Sequence, residues 1–352
     1  MQFDRFSLAD ALGAVLAHAV KAGDAVLRKG HRLTQSDLER LRAAGVASVV
    51  AARFDSTDVA EDEAAQRLAA LVAGGEVETA AAFTGRANLH ATARGVLAVD
   101  RERIDRFNRI DEAVTLATLP AFAVVNARQM IATVKIIPLA IPQQLLERCR
   151  SELASGPLLQ VSPFQPWRAR LIQTELPSLP AKVLDKTVGI TRDRLAAVDG
   201  ELLGETRCAH EPEALASAIG AAMAEGCDIL LVAGASAITD RGDVLPAGIV
   251  AAGGTLEHFG MPVDPGNLLL LARLRGRPVL GLPGCCRSPK LNGLDWVLQR
   301  LAAGIAITGQ DIMGMGVGGL LTEIPSRPQP REGTQPPTPA KAAALVLSLI
   351  HI

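Results

Sequence analysis

Aromatic side chains are scarce in this sequence and tyrosine is absent: aromatic residues make up 3% of its 352 positions. A surface on which nucleic-acid bases could stack is therefore hard to build. Neither sign of charge is in excess, with 36 Lys and Arg against 37 Asp and Glu. Binding through neutralised phosphates of a nucleic acid is not indicated either. By elimination, we expect small-molecule ligands and no nucleic acid.

Cysteines and long apolar runs are also lacking. The five cysteines form neither a CxxC pair nor the framework of a secreted domain. No uninterrupted apolar run approaches the ~20 residues of a membrane helix. Asp4, Arg5 and Asp10 lie in the region where a signal peptide would need an apolar core. We expect a cytoplasmic protein with reduced thiols and no membrane contact. A hydrophobic share of 49% provides for a large core, and the length predicts two or three domains.

The first half of the chain is predicted to hold two regions. Residues 1–75 suggest a small α/β region, in which Ser7 to Asp10 would cap a helix with apolar residues at helical spacing. A second helix is predicted after Thr34, because Asp37 follows three residues later as in a capping box. Residues 76–153 suggest a β-rich region that closes with a linking helix.

Strands and helices alternate regularly over residues 166–322, which predicts a three-layer α/β domain with a mostly parallel sheet. The continuous apolar run 228–233 is typical of a strand buried on both faces. Ligands of such sheets lie beyond the carboxyl ends of the strands. Residues 323–352 are predicted to be a Pro-rich linker followed by a truncated strand at 342–347.

The first loop at a predicted strand end, residues 233–243, reads AGASAITDRGD. Gly234 and Ser236 let the main chain approach a ligand, and the following helix begins with free N–H groups that attract anions. Asp240 and Asp243 could hold Mg²⁺, which would bridge to a phosphate or another oxyanion. Taken alone, Asp243 is more simply explained as a helix cap.

The second loop, residues 281–290, reads GLPGCCRSPK. Gly281, Pro283 and Gly284 form the turn, while Arg287, Ser288 and Lys290 offer charge and hydrogen bonds to a phosphate. The adjacent Cys285 and Cys286 could bind a soft metal or act as nucleophiles. Packing of small buried thiols is the favoured interpretation.

A third loop, residues 260–267, contains Asp264, Gly266 and Asn267. It is equally well explained as a ligand-binding loop or as a plain Pro-Gly turn between two strands. The run GMGVGG at 314–319 has no preceding strand and no GK[ST] after it, so we interpret it as a flexible turn.

The order of these loops over residues 168–321 resembles the molybdopterin-binding (Mog-like) proteins, above all the molybdopterin molybdotransferases. Their SGGVSVGDxD loop is matched by AGASAITDRGD, which implies a metal-handling role for Asp240. Their Thr-Gly-Asp-Glu is reduced to Thr174 followed by Glu175. The GLPG loop implies binding of the pterin phosphate. The two lysines of the family's MKPGKP loop are missing, because the third loop here reads VDPGNL.

The resemblance implies molybdopterin binding in molybdenum cofactor biosynthesis, assisting metal insertion or nucleotide transfer to the pterin phosphate. If the chain is an enzyme, it would be a transferase that uses molybdate or a nucleotide with Mg²⁺. One alternative is a non-catalytic molybdopterin carrier for a cytidylyltransferase, whose first strand the run 342–347 resembles. Another is a nucleotide pyrophosphatase of related fold. The segment 132–138 extends the resemblance to the flanking domains of molybdotransferases, and a homo-oligomer is a further expectation.

Overall fold

The computed structural model describes residues 1–321. The chain divides into two compact units between Phe164 and Gln165. A division near residue 164 was expected from the sequence, whereas the further boundary at residue 75 stays a prediction. The predicted linker and truncated strand lie outside the described residues.

The first unit consists of small antiparallel sheets and four helices. The sheets have the strand orders β1-β5-β2, β3-β4, β13-β6, β10-β12-β8-β7 and β11-β9-β14. The strands are β1 (Gln2–Ser7), β2 (Val15–Leu16), β3 (Val20–Ala22), β4 (Ala25–Leu27), β5 (Ser48–Arg53), β6 (Asp58–Ala60), β7 (Val77–Thr79), β8 (Arg86–Ala91), β9 (Gly95–Val99), β10 (Val114–Thr118), β11 (Val124–Val125), β12 (Met130–Ile136), β13 (Ala140–Pro142) and β14 (Leu159–Pro163). The helices are α1 (Gln35–Ala43), α2 (Glu61–Val72), α3 (Arg101–Asn108) and α4 (Gln143–Leu153).

The capping box predicted at Thr34 is confirmed. The Asp37 N–H donates to Thr34 Oγ1 at 3.3 Å, and the Thr34 N–H donates to Asp37 Oδ2 at 3.0 Å. Hydrogen bonds from Thr34 and His31 lower the pKa of Asp37 to about 2. The cap therefore stays ionised throughout the neutral range and fixes the start of α1.

The helix predicted after Ser7 to Asp10 is wrong. Gly13 has a φ of +76°, which ends any helix there. Leu16 pairs instead with Ala51 in an antiparallel sheet and is fully buried. The apolar residues with helical spacing therefore lie in turns and in the short strands β2 and β3.

The middle of the first unit shares one hydrophobic core. It contains the fully buried Leu68 of α2 and Leu146 of α4, together with Leu89 and Val134 from the facing strands β8 and β12. Helix α4 was expected as a connection, but its buried face makes it part of this core.

The second unit is built on a single six-stranded sheet. Its strands are β15 (Trp167–Glu175), β16 (Gly200–Ala209), β17 (Ile229–Ala233), β18 (Thr255–Phe259), β19 (Leu270–Leu274) and β20 (Arg277–Leu282), in the order β16-β15-β17-β20-β19-β18. The helices are α5 (Ala181–Ala196), α6 (Pro212–Glu225), α7 (Val244–Ala251), α8 (Gly293–Ala302) and α9 (Gly309–Met313).

This sheet is mixed. The strands β16, β15, β17 and β20 are parallel to one another, whereas β19 pairs antiparallel with both β20 and the outermost strand β18. A tight turn joins β19 to β20 at Arg275 and Gly276, both with positive φ, and so short a connection reverses the chain. A mostly parallel sheet was expected from the sequence, and two strands on either side of residues 260–267 were one of two interpretations of the third loop.

Helices cover both faces of the parallel strands. Adjacent strand residues point to opposite faces, so Leu231 packs with Leu195 of α5 and Leu298 of α8. Its neighbour Leu230 packs with Leu215 of α6 and with α7. Burial on both faces explains the continuous apolar run. No helix among residues 1–321 has the length and apolar character needed to cross a membrane.

Candidate functional site

The first and second loops meet at the carboxyl edge of the sheet. Ala233 and Leu282, the last residues of β17 and β20, are paired in adjacent parallel strands. Beyond them, Arg287 Nη2 donates to the Gly234 carbonyl oxygen at 2.7 Å. A Cβ on Gly234 would lie 2.8 Å from the Ser236 carbonyl oxygen, so this turn requires glycine. The strand pairing and this hydrogen bond therefore bring the turns at Gly234 and Gly284 together.

A chain of hydrogen bonds crosses the same edge from β15 to the first loop. The Ala235 N–H donates to Thr174 Oγ1 at 2.8 Å. Thr174 Oγ1 lies 2.8 Å from His210 Nδ1, and His210 Nε2 lies 2.8 Å from Ser236 Oγ. Thr174 is fully buried, whereas Ser236 is exposed. The sequence did not point to His210, because a histidine between β16 and α6 has no motif around it. Only its position after a parallel strand indicates the carboxyl edge.

The two acidic residues of the first loop are engaged by the loop itself. Asp243 Oδ2 accepts from the Thr239 N–H at 2.5 Å, from Thr239 Oγ1 at 3.0 Å and from the Asp240 N–H at 2.9 Å. Asp240 is exposed, and its Oδ1 accepts from the Gly242 N–H at 2.7 Å. Asp243 stands at the N-cap position of α7, but its side chain makes no bond to that helix. It stabilises the preceding turn instead.

The bonds to Asp243 also set its charge. The backbone N–H groups of Thr239 and Asp240 lower the pKa of Asp243, because they stabilise its ionised form. Among the described residues, no partner is found for the N–H groups of Val244 and Leu245 in the first turn of α7. The start of α7 therefore presents donors beside an exposed loop.

The second loop is held from below by Arg194 of α5. This buried guanidinium donates from Nε to Asp295 Oδ1 at 2.7 Å and from Nη1 to the Cys286 carbonyl oxygen. Its Nη2 donates to the carbonyl oxygens of Ser288 at 2.6 Å and Lys290 at 2.8 Å. Arg194 was not predicted from the sequence, since its partners lie about a hundred positions further along the chain.

The start of α8 is closed by the protein's own groups. Asn292 Oδ1 accepts from the Leu294 N–H at 2.9 Å, and Asp295 Oδ2 accepts from the Asn292 N–H at 2.8 Å. The third loop provides an acceptor for a further N–H group at this end of α8, because the Gly293 N–H donates to the Pro265 carbonyl oxygen at 2.9 Å. A Cβ on Gly266 would lie 2.7 Å from the Gly293 nitrogen. The third loop thus packs its main chain on α8.

The remaining predicted site residues lie in three places. Pro283, Ser288, Lys290 and the exposed Gly284 lie in the second loop, where a Cβ on Gly284 would meet no atom within 4 Å. Gly281 lies inside β20, where a Cβ would be 2.9 Å from the Leu270 Cβ, so it serves packing. In the third loop, the Asn267 carbonyl oxygen accepts from the Met261 N–H, and the main chain of Asp264 bonds with Gly319 and Leu321.

The two cysteines of the second loop are poorly suited to chemistry. Burial raises the pKa of both thiols, for Cys286 to about 12. A thiol protonated at neutral pH is a poor nucleophile and a poor metal ligand. The interpretation of this pair as packing residues agrees with that environment.

Comparisons with known proteins add little beyond the site itself. A family model described as a domain of unknown function (DUF8806) matches residues 5–53. No curated protein matches the sequence. Solved structures that it resembles include a molybdopterin biosynthesis MoeA protein from Pyrococcus horikosii, at 13% identity and a TM-score of 0.30 over 86% of this chain and 76% of that one. A molybdenum cofactor biosynthesis protein B has 15% identity and a TM-score of 0.30, over 40% of this chain and 95% of its own.

A third solved structure is the tungsten cofactor synthesizing protein MoaB from Pyrococcus furiosus, with 16% identity and a TM-score of 0.25 over 36% of this chain and 86% of that one. At these TM-scores, no argument about function is drawn from the likeness.

Proposed function

We propose that the carboxyl edge of the second unit binds an anionic pterin, molybdopterin, through its phosphate, and that the protein acts in molybdenum cofactor biosynthesis. The observation that carries the proposal is the bond from Arg287 to the Gly234 carbonyl, which brings the two glycine turns into one place. The sequence resemblance of those same turns to the Mog-like proteins supplies the identity of the ligand. On this proposal, the domain is the three-layer molybdopterin-binding fold.

The donors around this bond suit a phosphate. Arg287 Nε is buried and has no hydrogen-bond partner among the described residues. An unsatisfied buried donor is costly, so a ligand oxygen that bonded to it would recover that free energy. The exposed Ser236 hydroxyl belongs to the first loop, and the N–H groups at the start of α7 follow that loop directly. Together they offer charge-assisted and neutral hydrogen bonds to one anion.

Mg²⁺ fits this site as an ion shared between phosphate and protein. Among the described residues, no group of three or more His, Cys, Asp or Glu side chains could hold a metal alone. Mg²⁺ nevertheless usually keeps several waters and takes one or two carboxylates plus phosphate oxygens. The exposed Asp240 would hold the ion, and Asp243 would reach it with Oδ1. When bound, the ion would offset negative charge on phosphate or molybdate oxygens.

The chain's own residues would bind and position the ligand. Arg287, Ser236 and the α7 amides would orient the phosphate, and Arg194 would keep the second loop in place. A carrier that holds the pterin for a partner transferase uses the same contacts. The third loop favours this carrier role. It has Asp264 and Asn267 where the family's loop has lysines, and its main-chain atoms contact α8.

Equilibrium dialysis of the full chain with molybdopterin tests the proposal. We expect saturable binding that weakens about tenfold or more in Arg287→Gln, because a hydrogen bond to a charged group contributes about 1.5–3 kcal/mol. Arg277→Gln is the matched control, since this exposed arginine begins the same strand, β20, at the opposite edge. Absence of saturable binding, or equal loss in both variants, would refute the proposal.

The same samples separate the candidate activities. Product formation after addition of molybdate or nucleotide with Mg²⁺ would identify a transferase. Binding with no turnover would identify a carrier, and hydrolysis of a nucleotide diphosphate without the pterin would identify a pyrophosphatase.

A further inference from the structure

The series of hydrogen bonds that links the Ala235 N–H, Thr174, His210 and Ser236 runs in one direction, from donor to acceptor. The buried Thr174 hydroxyl fixes that direction. Thr174 Oγ1 accepts from the Ala235 N–H, and its own hydroxyl hydrogen needs an acceptor. Within residues 1–321, His210 Nδ1, at 2.8 Å, is the acceptor found for it. A buried hydroxyl hydrogen with no partner costs about 1–3 kcal/mol, so Thr174 donates to Nδ1.

The tautomer of His210 follows from that donor. A neutral imidazole carries one proton, and if Nδ1 accepts, the proton lies on Nε2. Partial burial lowers the pKa of His210, an effect that the nearby Asp243 charge partly offsets, and this favours the neutral ring. Nε2–H then donates to Ser236 Oγ at 2.8 Å.

We propose that His210 is a positioning residue that makes the Ser236 hydroxyl a directed hydrogen-bond donor to an oxyanion at the carboxyl edge. Since Ser236 Oγ accepts from Nε2–H, its hydrogen points away from the ring, and the side chain is exposed. The Ala235 N–H, the Thr174 hydroxyl, His210 Nε2–H and the Ser236 hydroxyl then donate in one direction. Each hydrogen bond polarises the donor of the next. This inference rests on the proposed function for the identity of the oxyanion, a pterin phosphate.

The direction of the chain excludes a second use of the same residues. A serine and a histidine 2.8 Å apart are also the beginning of a nucleophile and base pair, with a third group orienting the ring. That use requires an unprotonated Nε2 to take the serine proton. With the proton already on Nε2, His210 cannot serve as that base, and Ser236 binds rather than attacks.

Nitrogen NMR of the full chain without ligand tests the proposal directly. The ring nitrogens of His210, assigned by comparison with His210→Gln, should show a protonated Nε2 and an unprotonated Nδ1 at pH 7. The reverse tautomer, or a doubly protonated ring, would overturn it. Because no ligand is present, this result is independent of whether molybdopterin binds.

Two variants of Thr174 sharpen the test. Thr174→Ser keeps the hydroxyl and should keep both the tautomer and the affinity for inorganic phosphate. Thr174→Val removes the donor to Nδ1, so that the ring is no longer held in one tautomer, and it should bind phosphate several-fold more weakly. Ser236→Ala should weaken phosphate binding similarly while leaving the His210 tautomer unchanged. If Thr174→Val bound phosphate as tightly as the wild type, the proposal would fail.

Discussion

The two loops that meet at the carboxyl edge differ in how they use the start of the helix that follows. At α8, oxygens of Asn292, Asp295 and Pro265 accept hydrogen bonds from the first N–H groups of the helix, and Arg194 holds the loop before it. At α7, Asp243 turns its carboxylate back to Thr239 and Asp240, and the N–H groups of Val244 and Leu245 have no partner among the described residues. A polar turn before a helix is thus a candidate anion site only where the protein leaves its amides unused.

From the sequence, both loops were expected to bind a phosphate. In the structure, the donors at the start of α8 are already satisfied within the fold, so our proposal assigns amide binding of the anion to α7 alone. The second loop contributes Arg287 instead, which reaches across to the first loop. In this proposal, the second loop, which Arg194 anchors, supplies the Arg287 guanidinium. The start of α7 supplies the N–H groups of Val244 and Leu245.

The largest effect is expected from breaking the anchor beneath α8. Arg194→Met removes a buried cation and leaves Asp295 and three carbonyl oxygens without it, which should lower the free energy of unfolding by about 3–5 kcal/mol. Both tryptophans of the chain, Trp167 and Trp296, belong to the second unit, so urea unfolding followed by their fluorescence reports this unit. The exposed Arg192→Met on the same helix is the control. A loss below about 1 kcal/mol would contradict the anchoring role.

A moderate effect is expected at the cap of α8. Asn292→Ala should cost about 1 kcal/mol, because Leu294 loses its acceptor. Phosphate binding should stay at the wild-type level, since these amides do not contact the ligand. Asn292→Ser, which keeps an accepting oxygen, should restore most of the stability. Weaker phosphate binding by a folded Asn292→Ala protein would show that α8 belongs to the site after all.

A smaller and pH-dependent effect is expected at the first loop. The pKa of Asp243 is lower in the folded protein than its ordinary value of 3.8, so its stabilising bonds are complete above that value and are lost as the pH falls through the folded pKa. Asp243→Asn should therefore lower the urea midpoint at pH 7 and have less effect at about pH 3. Asp193→Asn, an exposed carboxylate on α5, should change neither. An equal loss at both pH values would exclude the charge as the cause.

The smallest effect on stability is expected at Asp240. This residue is exposed and bonds within its own loop, so Asp240→Asn should fold normally while losing the dependence of molybdopterin binding on Mg²⁺. Asp228→Asn, an exposed carboxylate before the opposite end of β17, should keep that dependence. A folded Asp240→Asn protein with wild-type Mg²⁺ dependence would remove the metal role.

Local signals predicted much of the fold. The capping pair Thr34 and Asp37 marked α1, and Pro212 with an Ala-rich run marked α6 with its observed bounds. The apolar run ending at Ala233 marked β17. Each of these is decided by residues adjacent in sequence, which is why pattern and structure agree.

Features that depend on distant partners were not predicted. Arg194 and His210 acquire their roles from Asp295, Thr174 and Ser236 across the fold. The strands β18 and β19 that flank the third loop were implied only by one of its two interpretations, because the apolar run at residues 268–272 does not show which way a strand runs. The helix predicted around Gly13 failed since the tertiary pairing of Leu16 outweighed a helical spacing.

Amide NMR of the full chain during titration with molybdopterin, with inorganic phosphate in parallel, tests the central claim most directly. We expect the largest shifts at the Ser236, Val244 and Leu245 amides, with Leu294 and Asp295 unchanged. Shifts concentrated at Gly293, Leu294 and Asp295, with none at the start of α7, would contradict the account.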